Sequence, residues 1–217
     1  MKTEATFVRS GAGAEDFPRD GLAELALIGR SNVGKSSLIN ALVRTRVART
    51  SAAPGKTRLA NIYRVGRGSS EPFYLVDLPG FGYARGGEAS AREFGELTQG
   101  YFAQRGRKGK ARLSALLLVD SRHPGLPVDV EAWQWLVRTV PSAAIVMTKI
   151  DKLARGERIR AQRAFESAFH DSVLPVSAVT GEGLEELWKL IDKLANNRRL
   201  PTLRRSHRRA PTEPPLP

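Results

Sequence analysis

The chain predicts an α/β domain of the P-loop NTPase type: a doubly wound, mostly parallel sheet with helices on both faces. Three observations predict it. Gly29-Arg30-Ser31-Asn32-Val33-Gly34-Lys35-Ser36 has the form G-x-x-x-x-G-K-S and sits between an apolar run and a helical pattern, the context a phosphate-binding loop requires. Leu113–Val119 and Ala143–Met147 are almost unbroken apolar runs without polar alternation, as expected of parallel strands covered on both sides. Helix-period segments separate these runs, which gives the alternation of a doubly wound sheet.

The elements follow in order. Residues 1–22, with Gly11, Gly13, Pro18 and Gly21, read as a loose N-terminal lead-in. The domain proper is expected over 23–195. Ala23–Ile28 is its first strand, and Ser37–Arg44, apolar at Leu38, Ile39, Leu42 and Val43, is its first helix. Arg46–Arg58 is polar and irregular. Ala60–Val65 and Phe73–Val76 are strands joined by a turn at Gly66–Ser70. Phe81–Gly87 carries three glycines and predicts a mobile loop. Helices are expected at Arg92–Gln104, Glu131–Val140, Glu157–Phe169 and Leu184–Ala195, and a last short strand at Val173–Val176. The remainder, 196–217, holds six arginines, one glutamate and five prolines, and predicts a basic tail that stays disordered until bound.

At 217 residues the chain suits one domain with a full core. Its net charge of +13 favours a polyanionic partner, nucleic acid above all. The tail carries +5 of that charge and the rest +8. Arg105–Arg112 (RGRKGKAR) adds a basic loop with five cations. The absence of cysteine excludes disulfides, thiol catalysis and zinc–thiolate sites. No apolar run approaches a membrane span, and Met1-Lys2-Thr3-Glu4 leads into no apolar signal segment, so a cytoplasmic location is expected.

Five short segments carry the chemistry. In Gly29–Ser36 the glycines let backbone N–H groups curl towards phosphate oxygens at a helix N-terminus. Lys35 brings a charge to the β and γ phosphates, and the Ser36 hydroxyl is placed for Mg²⁺. Asp77-Leu78-Pro79-Gly80 ends a strand; Asp77 suits Mg²⁺ through water, and the Gly80 N–H suits the γ-phosphate. Thr57, after Pro54-Gly55-Lys56, suits completion of the magnesium shell. In Thr148-Lys149-Ile150-Asp151 the Asp151 carboxylate matches the ring and exocyclic N–H groups of guanine, a pair adenine cannot offer, and the Lys149 stem suits the base plane. Taken alone, Asp151 reads equally as a helix N-cap. Ser177 and Ala178 follow another strand end, where a backbone N–H meets the guanine oxygen. Lys35, Thr57 and Gly80 are the expected catalytic contributors.

The residue after Gly80 is Phe81, where many such switches carry a water-orienting Gln. Slow hydrolysis unless stimulated is the expectation. Asn32 in the phosphate loop suits a monovalent cation, which predicts potassium stimulation; bracing of the loop is the other reading. Asp120-Ser121-Arg122-His123 follows a strand end on the nucleotide side, with a structural or surface role expected for His123.

GRSNVGKSSLIN (29–40), PGKT (54–57), DLPGFGYA (77–84), DSRHP (120–124) and TKID (148–151) together resemble the EngB (YihA/YsxC) family, TrmE-Era-EngA-EngB-Septin-like GTPases of the TRAFAC class. The resemblance spans residues 5–195. It implies guanine-nucleotide binding by Gly29, Arg30, Ser31, Asn32, Val33, Gly34, Lys35, Ser36 and Ser37, and by Gly55, Lys56, Thr57, Arg58 and Leu59. It implies the same for Asp77, Leu78, Pro79 and Gly80, for Thr148, Lys149, Ile150 and Asp151, and for Ser177, Ala178 and Val179. Mg²⁺ is implied at Ser36 and Thr57. A role in large ribosomal subunit assembly and in division and septation is also implied. A monomer with no membrane partner is the further expectation. Arg58 departs from the Gln expected there, the tail is longer than the family needs, and the hydrophobic residue after D-x-x-G fits. The alternative is a nucleotide-dependent RNA- or ribosome-binding module with negligible intrinsic hydrolysis. A tRNA-modification or protein-translocation GTPase would usually need an extra domain, and an ATPase is disfavoured by Lys149 and Asp151.

Overall fold

Seven strands form one sheet in the order β1-β3-β4-β2-β5-β6-β7. They are β1 (Thr3–Gly11), β2 (Ala23–Gly29), β3 (Ala60–Arg67), β4 (Phe73–Asp77), β5 (Leu113–Asp120), β6 (Ala143–Thr148) and β7 (Val173–Pro175). β4, β2, β5, β6 and β7 run parallel, and β3 and β1 add an antiparallel edge. The computed structural model describes residues 3–48, 59–81, 97–103 and 112–195. Helices are α1 (Lys35–Val43), α2 (97–103), α3 (Pro127–Thr139), α4 (Arg155–Phe169) and α5 (Leu184–Ala195).

The parallel strands bury both faces, which explains their unbroken apolar runs. Alternate residues divide between two cores. Ala26 and Ile28 of β2 and Ala115, Leu117 and Val119 of β5 pack with Tyr101, Phe102, Trp133, Leu136 and Phe165 from α2, α3 and α4. Leu25 and Leu27, with Leu116 and Leu118, pack with Leu38, Leu42, Leu187 and Ile191 from α1 and α5. At about 25 cal/mol per Å² of apolar surface, each such Leu, Ile or Val side chain contributes about 1.5–3 kcal/mol before entropy is subtracted. Among the described residues no helix is long and apolar enough to cross a membrane.

Residues 3–11 depart from the expected loose lead-in. Thr3–Gly11 pairs antiparallel with β3, with a register irregularity between Phe7 and Arg9. Phe7 meets Tyr63 edge-on at 5.8 Å, and the buried Phe17 stacks obliquely on Tyr101 at 4.6 Å. Most of β1 is exposed, so it has no buried face to write an alternating pattern into the sequence. Its pairing is made by backbone on β3, which sequence periodicity does not report. Of the helix expected over Arg92–Gln104, residues 97–103 are described and helical. Pro54, Gly55, Lys56, Thr57 and Arg58, the glycine loop after Phe81, residues 105–111 of the basic loop and the 196–217 tail lie outside the described residues.

All five parallel strands deliver their C-terminal ends to one edge. The loops carrying Gly29–Ser36, Asp77–Gly80, Asp120–Arg122, Thr148–Asp151 and Ser177–Val179 therefore cluster there, where open α/β sheets bind ligands.

Candidate nucleotide-binding site

The phosphate loop has the conformation its glycines permit. Gly34 lies at φ +109° and Asn32 at φ +61°, both left-handed. Left-handed residues coil a loop so that successive N–H groups converge on a concavity. Gly29 is required by space: a Cβ there would lie 2.6 Å from the Leu118 carbonyl oxygen. The loop runs directly into α1, whose first-turn N–H groups have no intrahelical acceptor. An anion set in this loop would meet those donors and the positive end of the helix dipole.

Lys35 is buried, and its Nζ donates to the Gly29 carbonyl at 3.3 Å. Burial pushes its pKa down, and the nearby Asp77 carboxylate opposes that shift. The Ser36 hydroxyl donates to Asp77 Oδ2 at 2.8 Å. Asp77 Oδ1 is buried with no hydrogen-bond partner among the described residues. Burial raises the Asp77 pKa, and Lys35 and Ser36 lower it. A buried carboxylate oxygen left unsatisfied beside a hydroxyl is a costly arrangement that a hard cation or its water relieves. Ser36 and Asp77 thus fit a divalent cation. No group of three or more His, Cys, Asp or Glu residues suited to a metal occurs among the described residues. A cation here would draw its remaining ligands from bound phosphate and water.

The Asp77–Gly80 segment is stitched to the phosphate loop. Ser31 N–H donates to Phe81 O at 3.0 Å and Phe81 N–H donates to Gly29 O at 3.3 Å. The Ser31 hydroxyl donates to Gly80 O at 3.3 Å. Leu78 is fully buried and Pro79 is buried as well, so both offer only backbone to a ligand.

The third part is Thr148–Asp151. Lys149 lies at φ +60°, and its Nζ donates to Asn32 O at 2.5 Å and to Asp120 Oδ2 at 2.8 Å. Its stem therefore runs from β6 to the phosphate loop. Asp151 sits in a 3-10 turn, Ile150–Lys152, and accepts from Ser177 Oγ at 2.7 Å. It caps no helix: α4 starts at Arg155 with Ala154 as its N-cap. The Ser177 hydrogen bond leads the effects that hold the Asp151 carboxyl below its ordinary value, so the group is ionised at neutral pH. Ser177 Oγ also accepts the N–H groups of Val179 and Thr180, which ties the two loops together.

Several residues named from sequence point inward. Val33 and Ile150 are core, and the Thr148 hydroxyl lies 2.7 Å from Val33 O and 3.0 Å from Val119 O. Arg30 turns towards α3. Ser37, Leu59 and Val179 are exposed, and Ala178 is half-buried.

Two carboxylates have partners that the sequence did not reveal: Asp120, noted there only as part of a segment at a strand end, and Asp129, not noted at all. Asp120 accepts from Lys149 and from Arg122, whose Nε and Nη2 lie 2.9 and 2.7 Å from its oxygens. A carboxylate ending an apolar strand on the ligand edge was the available signal. Asp129 is fully buried and forms an ion pair with Arg30, whose Nε lies 3.2 Å from its carboxylate. Nothing local foretold it.

Burial pushes the Asp129 carboxyl up, and Arg30 only partly offsets it; Asp120 also raises it and His123 lowers it. Folding therefore favours the protonated form. That share of stability is complete below the unperturbed value of 3.8 and is lost as pH rises through the folded value. Asp129→Asn has no such proton to lose. Its melting temperature should rise relative to the parent as pH increases between about 4 and 8. A thermal-melt series across that range measures the gap, and a constant or shrinking gap contradicts the assignment.

A coiled glycine loop with a buried lysine, a hydrogen-bonded Ser36–Asp77 pair and the Thr148–Asp151 segment on one sheet edge define the class: a P-loop GTPase domain. Residues 24–149 match the family described as 50S ribosome-binding GTPase. A probable GTP-binding protein EngB from Chlorobaculum tepidum is 40% identical over 193 residues, covering 88% of this chain and 96% of its own. The corresponding Geobacillus thermodenitrificans protein is 38% identical over 191 residues, covering 86% and 94%. The chain belongs to the EngB family of GTP-binding proteins. Among solved structures, a probable GTP-binding protein engB superposes with a TM-score of 0.64 at 24% identity, covering 81% of this chain and all of that one. Aquifex aeolicus Era bound to GDP·AlF4⁻ gives 0.67 at 24% identity; this chain is covered to 80% and spans 56% of that one. At that identity the likeness concerns the fold.

Proposed function

We propose that the chain is a guanine-nucleotide switch that hydrolyses GTP in the cytoplasm and acts, as a monomer, in assembly of the large ribosomal subunit. On this reading it is thereby needed for normal division and septation. The observation that carries the nucleotide reading is Asp151, ionised, held by Ser177, and on the same edge as the phosphate loop. Gly29–Ser37 wraps the phosphates by backbone N–H groups, and Gly55, Lys56, Thr57, Arg58 and Leu59 are assigned to the same nucleotide. Gly80 N–H meets the γ-phosphate. Lys149 backs the base and Asp151 reads it, with Ser177, Ala178 and Val179 closing its far side.

Ser36, Thr57 and Asp77, the last through water, would hold Mg²⁺. The ion would supply charge neutralisation at the β and γ phosphates when bound. Lys35, buried, would bring its ammonium to the β and γ phosphates and stabilise the charge that builds there. Phe81 has no group to orient water, so turnover is slow unless stimulated. Asn32, exposed in the loop, is the candidate ligand for a monovalent cation. Turnover in potassium chloride should exceed that in sodium chloride at equal ionic strength, and equal rates would dispose of this role.

Support for a ribosomal partner comes from the matched family's description and the +13 charge. The test is co-sedimentation with purified large subunits, with a non-hydrolysable GTP analogue or GDP, at two salt concentrations. Binding that needs the analogue and survives the higher salt is expected. Binding indifferent to nucleotide and lost with salt would mean electrostatic adhesion only.

A further inference from the structure

The turn after β5 has no part in the reading above, yet its polar contacts converge on one target. Ser121 N–H donates to Thr148 O at 3.0 Å, and Ser121 Oγ donates to Lys149 O at 3.1 Å. Lys149 Nζ donates to Asp120 Oδ2 at 2.8 Å. Backbone, hydroxyl and carboxylate of two consecutive residues thus grip two consecutive residues of the base segment. Behind the clamp, Arg122 binds Asp120 through its backbone N–H at 3.1 Å and through its guanidinium. Asp120 itself is only 4% exposed. Burial raises its pKa, but the hydrogen bonds from Arg122 and Lys149 outweigh this and hold it well below the carboxylate range.

Lys149 needs such a grip for two reasons. Its left-handed φ is unfavourable for a residue with a side chain and persists only where neighbours impose it. Its four-carbon stem also has large rotamer freedom, which must be surrendered before it can serve as a flat surface for a ring. The Asn32 carbonyl and the Asp120 carboxylate fix the ammonium from two sides, and Ser121 fixes the backbone.

We propose that Asp120 and Ser121 are positioning residues for guanine-nucleotide binding, acting through Lys149 by holding its stem rigid against the base plane. The inference rests on the reading that Lys149 backs the base. The clamp touches no hydrogen-bonding edge of the ring, so it governs affinity for any purine held there and leaves the choice among purines to Asp151.

The test is titration calorimetry on the full chain with GDP and with inosine diphosphate, which lacks the exocyclic amine. Asp120→Asn, Ser121→Ala, Lys149→Met, Asp151→Asn and the Asp120→Asn/Lys149→Met double variant are compared, with a melting curve for each. Asp120→Asn should weaken both nucleotides by about tenfold, the loss expected of one charge-assisted hydrogen bond, and leave their ratio unchanged. In the Lys149→Met background the same substitution should cost under about twofold, because the side chain it acts through is gone. Ser121→Ala should repeat the pattern on a smaller scale. An undiminished loss in the Lys149→Met background would overturn the proposal, since Asp120 would then act on the fold. Parental affinity in Asp120→Asn would overturn it as well. If Lys149→Met and Asp151→Asn lose affinity while Asp120→Asn does not, the clamp alone falls. If neither Lys149→Met nor Asp151→Asn changes binding, the base reading falls with it.

Discussion

Asp151→Asn is expected to weaken GTP binding by on the order of 10²–10⁴-fold, two charge-assisted hydrogen bonds being worth about 1.5–3 kcal/mol each. The guanine ring N–H and its exocyclic amine are both donors, and only an ionised carboxylate accepts both without turning a donor of its own towards them. Asn presents one acceptor and one N–H₂, so one guanine donor would face another. A base with a carbonyl in place of the exocyclic amine suits Asn, so xanthosine triphosphate should gain what GTP loses. The scaffold survives the change, because Ser177 Oγ can donate to the Asn oxygen as it does to Asp151 Oδ1 at 2.7 Å. Competition of GTP with xanthosine triphosphate for the purified variant measures the switch. Retained GTP preference would falsify the base assignment.

Gly80→Ala is the second large effect, and it separates hydrolysis from binding. A Cβ at Gly80 would lie 2.7 Å from both the nitrogen and the Cα of Ser31. These are backbone atoms of the phosphate loop and cannot turn aside as a flexible side chain could. The Asp77–Phe81 segment must therefore retreat, breaking the Ser31 N–H to Phe81 O and Phe81 N–H to Gly29 O hydrogen bonds at 3.0 and 3.3 Å. Overpacking of this kind costs about 1–3 kcal/mol, which lowers the melting temperature by roughly 2–10 °C for a domain of this size. GTP turnover should fall on the order of 10²-fold, the loss typical of removing one preorganised donor from a transition state. GDP has no γ-phosphate for Gly80 to meet, so its affinity should stay within about threefold of the parent. Equal losses in GDP affinity and turnover would show that Gly80 shapes the phosphate loop as a whole.

The elements that were legible in the sequence share one property: their cause is local. β2, β5 and β6 are almost continuous apolar runs, interrupted inside by Glu24 and Ser114, because both of their faces are covered, and helical periodicity placed α5 at Leu184–Ala195 with no residue in error. Gly34 announces itself because only glycine takes φ +109° cheaply. β1 was illegible for the opposite reason: its stability comes from β3 backbone some fifty residues away, while its own side chains remain mostly exposed.

The same division runs through the site. By itself the sequence determined the ligand chemistry, because the phosphate loop, the Asp77–Gly80 turn and the Thr148–Asp151 segment are each contiguous residues with a required spacing. Only the tertiary structure decided which partners hold them. It turned the Thr148 hydroxyl inward to Val33 and Val119, and set Asp120 under Lys149. It also buried Asp129 against Arg30, and left Asp77 Oδ1 without a hydrogen-bond partner among the described residues. These pairings join residues on different strands and helices. They exist only because parallel strands deliver their ends to one edge, and no local pattern encodes which side chains will meet there.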